Sequence, residues 1–322
     1  MPRVIHTGQA LVDYVLDVPA LPPRGGNVYA STGRRSAGGA TNTLVAAARN
    51  GAEAVLAGSH GTGENGDLIR AALAADGVGL CSPPEPDVDS GICICLIEPD
   101  ERTFITTRGA ERAITVDSLD RSRPAAGDIV CVDGYTLVAG ATVEPMLQWL
   151  EQLPPDVEVV LDPASDFAAQ PREVRERALA ATTVWTSNLA EAVDIVAAQG
   201  AASFDADDMV AAADAVARVL PRSAVVIVRD GPNGCAVRDG SPAVSLPGYP
   251  QEPVDTNGAG DAHTGVLVAT RLAGASWVAA ARRANAGAAI KVTREGPATA
   301  PTSTEIDVWL SGSANGPQPA AV

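Results

Sequence analysis

The sequence predicts an α/β protein in which a doubly wound, mostly parallel sheet is covered by helices on both faces and a small sheet is inserted into it. Three observations carry that prediction. Apolar runs of strand length alternate with amphipathic stretches of helix length through most of the chain, which is the rhythm of a parallel sheet. Two strand-like blocks near the front fall outside that rhythm. A chain of 322 residues, 46% of them hydrophobic, can also bury a large core.

The elements follow in order. Residues 4–7 form a short apolar run ending at Gly8 and predict the first strand, with Asp13 in the loop that leaves it. Residues 28–32, after the turn-rich PPRGG, predict a strand out of rhythm, and residues 91–98 pair with 103–107 across PDER as a hairpin. These blocks predict the inserted sheet, spanning about residues 12–34 and 90–110. A helix is expected over 41–50, a strand over 54–57 and a helix over 67–75. Strands at 129–132, 157–161, 183–186 and 224–228 alternate with helices at 143–153, 172–181, 190–198 and 207–219. Helices over 261–272 and 279–292 complete one domain of residues 1–310, and the Pro/Gly-rich residues 311–322 read as a disordered tail.

Charge and composition exclude several functions. A net charge of −16 leaves no basic face for a nucleic-acid backbone. The five cysteines, at 81, 93, 95, 131 and 235, contain no CxxC pair and read as small buried residues of a reducing compartment. The first residues lack the apolar core of a leader, and no segment approaches a membrane span, so a cytoplasmic location without membrane contact is expected.

The stretch VDTNGAGDAHTG, residues 254–265, packs two glycines between two aspartates, with a third glycine closing it. Small residues at Gly258, Ala259 and Gly260 before a helical pattern leave amide N–H groups free to hold an anion, with Asp261 beside them as a candidate base. An aspartate capping a helix in a glycine turn is the plainer alternative. No GxxxxGK[ST] occurs, so a P-loop is absent. A second glycine pair, Gly38 and Gly39, precedes Asn42 at the opening of a helix.

Five features in sequence order resemble the PfkB or ribokinase family of carbohydrate kinases: Gly8 with Asp13, GGxxN from Gly38 to Asn42, NLAE from Asn188 to Glu191, DGPNG from Asp230 to Gly234, and DTNGAGD from Asp255 to Asp261. The resemblance extends from near the first residue to about Ala300. It implies a ribokinase-like αβα domain with a small β-sheet lid, and transfer of the γ-phosphoryl group of ATP to a sugar hydroxyl with Mg²⁺ and, in many members, a monovalent cation such as K⁺. Asp261 would be the general base, and the amides of Gly258, Ala259 and Gly260 the anion hole. Asp13, Gly38, Gly39 and Asn42 would hold substrate hydroxyls, with Arg108 at the lid's exit as a further contact.

By the same resemblance Asn188, Arg229, Gly231, Gly234, Gly260 and Asn285 would border ATP, and Glu191 would organise Mg²⁺ through water. As bare chemistry Asn188 and Glu191 are also a helix cap with its capping-box partner. A monovalent cation would lie near Asp255 and Asn257, on backbone carbonyls of Lys291, Arg294, Gly296 and Ala300. A homodimer through the lid is expected.

The chain departs from the family at His263, where phenylalanine is usual, and at Arg229, where threonine is common. Asp133 in VCVDGYTL is a candidate for a substrate carboxylate. Tyr14 and Tyr29 keep open a nucleoside kinase with an aromatic lid, and a catalytically silent sugar-binding regulator is the rival from another class.

Overall fold

The computed structural model describes residues 1–98, 101–138, 140–202, 204–221, 223–240 and 242–313. Strand β1 (Arg3–His6) leads through a tight loop into β2 (Ala10–Asp17) and β3 (Thr32–Gly39), then helix α1 (Ala40–Arg49), β4 (Glu53–Leu56), α2 (Glu64–Ala75) and β5 (Gly79–Leu80). Strands β6 (Ile92–Ile97) and β7 (Arg102–Thr106) are antiparallel; Pro99 and Asp100 of the expected turn lie outside the described residues. Next come α3 (Val116–Asp120), β8 (Ile129–Asp133), α4 (Gly140–Leu150), β9 (Glu158–Asp162), α5 (Arg172–Ala181), β10 (Val184–Asn188), α6 (Leu189–Ala198), α7 (Met209–Val216) and β11 (Val225–Arg229). The chain continues through β12 (Gly234–Arg238), β13 (Val244–Pro247), α8 (Ala259–Leu272), α9 (Trp277–Val292) and α10 (Ser303–Ser313).

The larger sheet has nine strands in the order β13-β12-β11-β10-β9-β8-β1-β4-β5. From β11 to β5 every pairing is parallel; β12 and β13 add an antiparallel edge. Strand order reverses beside β1, whose neighbours are β8 and β4, and such a switch point opens a crevice at the carboxyl ends of the strands. Because a strand sends alternate side chains to opposite faces, Val4 packs into one hydrophobic cluster with α1, α8 and α9, and Ile5 into a second with α4 to α7.

The smaller sheet has the order β3-β2-β6-β7 and fits the inserted lid. Its first half differs from expectation. Residues 28–31 carry no strand and Tyr29 is 86% exposed. The strand runs instead over TGRRSAGG, a weak strand former, because it pairs along the whole length of β2, from Asp17 opposite Thr32 to Ala10 opposite Gly39. Asp13 therefore stands within a strand rather than a loop, while Gly38 and Gly39 close β3 and Gly39 also caps the start of α1, as expected of a pair at a helix opening. Residues 311–313, assigned to the tail, continue α10; residues 314–322 lie outside the described residues.

Candidate active site

A cleft of about 1150 Å³ lies along the carboxyl ends of the parallel strands. His6, Asp133, Asp162, Asn188 and Arg229, the last residues of β1, β8, β9, β10 and β11, all line it. The lid sheet contributes Asp13 from β2, Cys93 from β6, and Arg102 and Phe104 from β7.

Helix α8 opens at Gly258, whose φ of 74° is left-handed. A Cβ there would stand 2.6 Å from the Pro297 carbonyl oxygen, so glycine is required both by conformation and by space. Gly258, Ala259, Gly260 and Asp261 all line the cleft. Asn42, in the first turn of α1, donates from Nδ2 to Asp261 Oδ2 at 2.8 Å. Burial pushes the Asp261 carboxyl up to about 6, the Asn42 bond pulls it down, and Asp162 raises it again. Asn42 Oδ1 is buried without a partner, an acceptor left facing no donor of the protein.

Asp13 approaches the same centre from the lid. Burial raises its carboxyl to about 7, helped by the charge of Asp261 and opposed by a hydrogen bond from Asn257. A Cβ on Gly38, its close neighbour on β3, would fall 2.3 Å from Asp13 Oδ2. Glycine at 38 thus makes room for a buried carboxylate, which explains the pairing of the two motifs better than a helix start does. Arg108 lines the cleft beyond β7.

At the other end, Asn188 caps α6. Its Oδ1 accepts from Glu191 N at 2.8 Å, and Glu191 Oε2 accepts from Asn188 N at 2.9 Å. The capping box is present, and both residues still line the cleft. Burial pushes Glu191 up to about 7, with the Asp162 carboxylate adding to it and Arg229 opposing. Arg229 donates from Nη2 to Asp162 Oδ2 at 2.9 Å and from Nη1 to the Gly260 carbonyl oxygen at 2.9 Å. A carboxyl raised by burial and by a neighbouring carboxylate is relieved by a divalent cation, so the donor set of Glu191 and Asp162 suits Mg²⁺. Among the described residues no three acidic, histidine or cysteine side chains cluster to hold a metal alone, so such an ion would complete its shell with phosphate and water. Gly231 and Gly234 border the cleft where β11 turns into β12.

With this geometry in view, the pattern of the pfkB family carbohydrate kinases matches residues 1–305. The chain belongs to the PfkB family. It is 31% identical to the uncharacterised sugar kinase YegV of Escherichia coli over 311 residues, covering 94% of this chain and 92% of that one. It is 27% identical to an ATP-dependent ribose-1-phosphate kinase of Halopiger xanaduensis, covering 97% and 99%. Its fold is shared with an Arabidopsis thaliana ribokinase solved with ribose and ATP, at a TM-score of 0.78 and 22% identity over 96% and 98% of the two chains.

Several residues of this PfkB-family chain stand differently from their expectation. His263 Nε2 meets Asn285 Oδ1 at 3.1 Å, and Asn285 Nδ2 donates to the Pro247 carbonyl oxygen at 3.1 Å. Since the amide oxygen is an acceptor, Nε2 carries the proton, and burial holds the imidazole neutral with its pKa down at about 3. The pair ties α8 to α9 and β13, and Asn285, expected to border a nucleotide, lines the cleft. Asp133 accepts from Gln9 N at 3.1 Å and Thr136 N at 2.9 Å, and so fastens the loop after β1 to the end of β8.

Of the expected monovalent-cation residues, Asp255, Asn257, Lys291 and Gly296 are joined by hydrogen bonds, while Arg294 and Ala300 bond elsewhere. Asp255 accepts from Asn257 N at 2.9 Å and Gly296 N at 3.0 Å, and its own carbonyl oxygen accepts from Lys291 Nζ at 2.7 Å. The Ala300 carbonyl oxygen accepts from Arg49 at 3.0 Å, and Arg294 pairs with Glu305 at 2.5 Å. A buried lysine ammonium on the Asp255 carbonyl does not fit a site meant for a free cation. Sequence reasoning missed Asp162, Arg112 and Tyr135, all lining the cleft. Asp162 was findable as a carboxylate closing the apolar run EVVLD, where ligands of parallel sheets bind.

Proposed function

We propose that this chain is an ATP-dependent sugar kinase that moves the γ-phosphoryl group to a primary hydroxyl of a small carbohydrate. The observation that supports it best is Asp261: a carboxylate in the first turn of α8, beside a glycine-rich run of amides, held by Asn42 and lining the cleft with Asp13. In this reading Asp261 takes the hydroxyl proton as that oxygen attacks phosphorus. The amides of Gly258, Ala259 and Gly260 meet the charge that develops on the transferred group, since phosphoryl transfer rests on positioning and electrostatics.

Asp13 and the free Oδ1 of Asn42 accept hydroxyl hydrogens of the substrate, while Gly38 and Gly39 let it approach the backbone and Arg108 closes its outer side. Gly231, Gly234, Asn188 and Arg229 border the nucleotide. Mg²⁺, when bound near Glu191 and Asp162, spreads phosphate charge; Arg229 holds Asp162 in place and ties it to α8 through Gly260. The ribose-1-phosphate kinase relative and the ribose of the Arabidopsis complex make pentoses the first substrates to assay.

Asp261→Asn should lower kcat by roughly 10²–10⁴-fold, the usual contribution of general base catalysis, while the ATP dissociation constant stays within about twofold. Near-normal turnover in that variant would remove Asp261 as the base. A second reading, a nucleoside kinase, rests on Phe104: it is 56% exposed on β7 and lines the cleft, as a base-stacking residue would. Assaying sugars and nucleosides side by side with ATP separates the two readings by which class is turned over.

A further inference from the structure

Lys291 stands on the last turn of α9 and is fully buried, with 0% of its surface exposed. Lysine is almost never found in such a place without a partner that needs its charge. Its Nζ donates to the carbonyl oxygen of Asp255 at 2.7 Å. The Asp255 carboxylate is engaged elsewhere, by the amides of Asn257 and Gly296 and, at 3.8 Å, by Arg34. The ammonium is therefore seated on a backbone carbonyl in the way a bound cation would be. Compensating negative charge reaches it from Asp255 and Asp261.

The position of that carbonyl gives the contact its consequence. Val254 N and Asp255 N both donate to the Val292 carbonyl oxygen, so the loop is strapped to the end of α9. Gly258, where α8 opens, follows Asp255 by only three residues. Whatever holds the Asp255 carbonyl inward also sets the direction of the amides that follow it, and adds positive potential beneath the place where anionic charge collects. Burial lowers the Lys291 pKa to about 8, so the amine remains charged at neutral pH.

We propose that the Lys291 ammonium is a built-in replacement for a monovalent cation, fixing the Asp255–Asn257 loop and the anion hole so that this protein needs neither K⁺ nor Na⁺. Lys291 is on this view a positioning residue, and the proposal rests on the kinase reading above only for its catalytic consequence.

The experiment has two arms. In the first, thermal unfolding of the unliganded protein is followed in KCl and in tetramethylammonium chloride at equal ionic strength, for the natural chain and for Lys291→Ala. The natural chain should show the same midpoint in both salts, and Lys291→Ala should gain a few degrees in KCl as K⁺ enters the vacated position. In the second, phosphoryl transfer is measured with Mg²⁺ and ATP in the same salts. The natural chain should change by less than about twofold, and Lys291→Ala should lose about tenfold or more in kcat without K⁺ and recover part of it with K⁺.

A natural chain stabilised by K⁺ or activated tenfold by it overturns the proposal, as does a Lys291→Ala variant indifferent to the salt in both arms. The salt dependence of the natural chain alone decides the matter should Lys291→Ala not fold. Absence of turnover in every salt would count against the kinase reading, while the unfolding arm would still decide the role of Lys291.

Discussion

Two influences compete for the proton of Asp261. Burial raises its pKa to about 6, and the hydrogen bond from Asn42 holds it from rising further. A general base works only when ionised, so kcat/KM should climb as pH passes upward through about 6 and level off above. Asn42→Ala removes the donor and moves that limb to higher pH by about one pH unit. Activity should then fall by a larger factor near pH 6 than near pH 8, read from pH–rate profiles of the two proteins. Loss of a sugar contact alone would reduce activity by the same factor across the range. The GGxxN motif made Asn42 legible, but not this role, because the partner lies 219 residues away. His263 was legible only as an oddity for the same reason: its partner Asn285 stands on another helix.

At the scale of elements, the opening of α8 is where backbone geometry becomes chemistry. Gly258→Ala would force a side chain into left-handed backbone and against the Pro297 carbonyl oxygen at 2.6 Å. The turn must shift, and the amides of Ala259 and Gly260 lose their aim. Loss of one anion-hole donor commonly lowers kcat by about 10²–10³-fold, and the strain should reduce stability by about 1–3 kcal/mol. Steady-state kinetics with chemical denaturation of the same sample checks both; an unchanged kcat would remove the amides from the mechanism. The parallel strands other than the two-residue β5 were readable because buried strands are continuous apolar runs, as in VVIV of β11. Strand β3 was not, since TGRRSAGG has no strand pattern and is held by its pairing with β2. Neither were β12 and β13, short antiparallel edge strands without helices to set a rhythm.

For the molecule as a whole, the site's charges set how stability depends on pH. Three carboxyls have folded pKa values above their unfolded ones: Asp13 at about 7 and Asp261 at about 6, each against 3.8, and Glu191 at about 7 against 4.5. Each binds its proton more tightly when folded, so its contribution is present at low pH and is lost as pH rises through the folded value. Three buried histidines, His6, His60 and His263, act the other way, with folded pKa values below 6.5. The unfolded chain gains their protons first, so stability falls as pH drops below about 6.5. A tenfold difference in proton affinity between the folded and unfolded chain is worth about 1.4 kcal/mol. Lowering pH from 8 to 6.5 therefore lets Asp13 and Glu191 add roughly 1–2 kcal/mol together, while the three histidines and Lys291, whose folded pKa of about 8 lies below its unfolded value, take back roughly as much. Below that the two sets nearly cancel. The unliganded protein should accordingly unfold at nearly the same temperature from about pH 6 to pH 8. Asp13→Asn, which keeps the shape but not the charge, should turn this level profile into one that rises toward pH 8 and be more stable than the natural chain near pH 8 by about 1–3 kcal/mol, while substrate binding weakens. Calorimetry of both proteins from about pH 5 to pH 8 reads this directly. A natural chain whose midpoint rises steadily to pH 8 would mean that these carboxyls are solvated in the unliganded cleft, and the expected gain in Asp13→Asn would vanish with them.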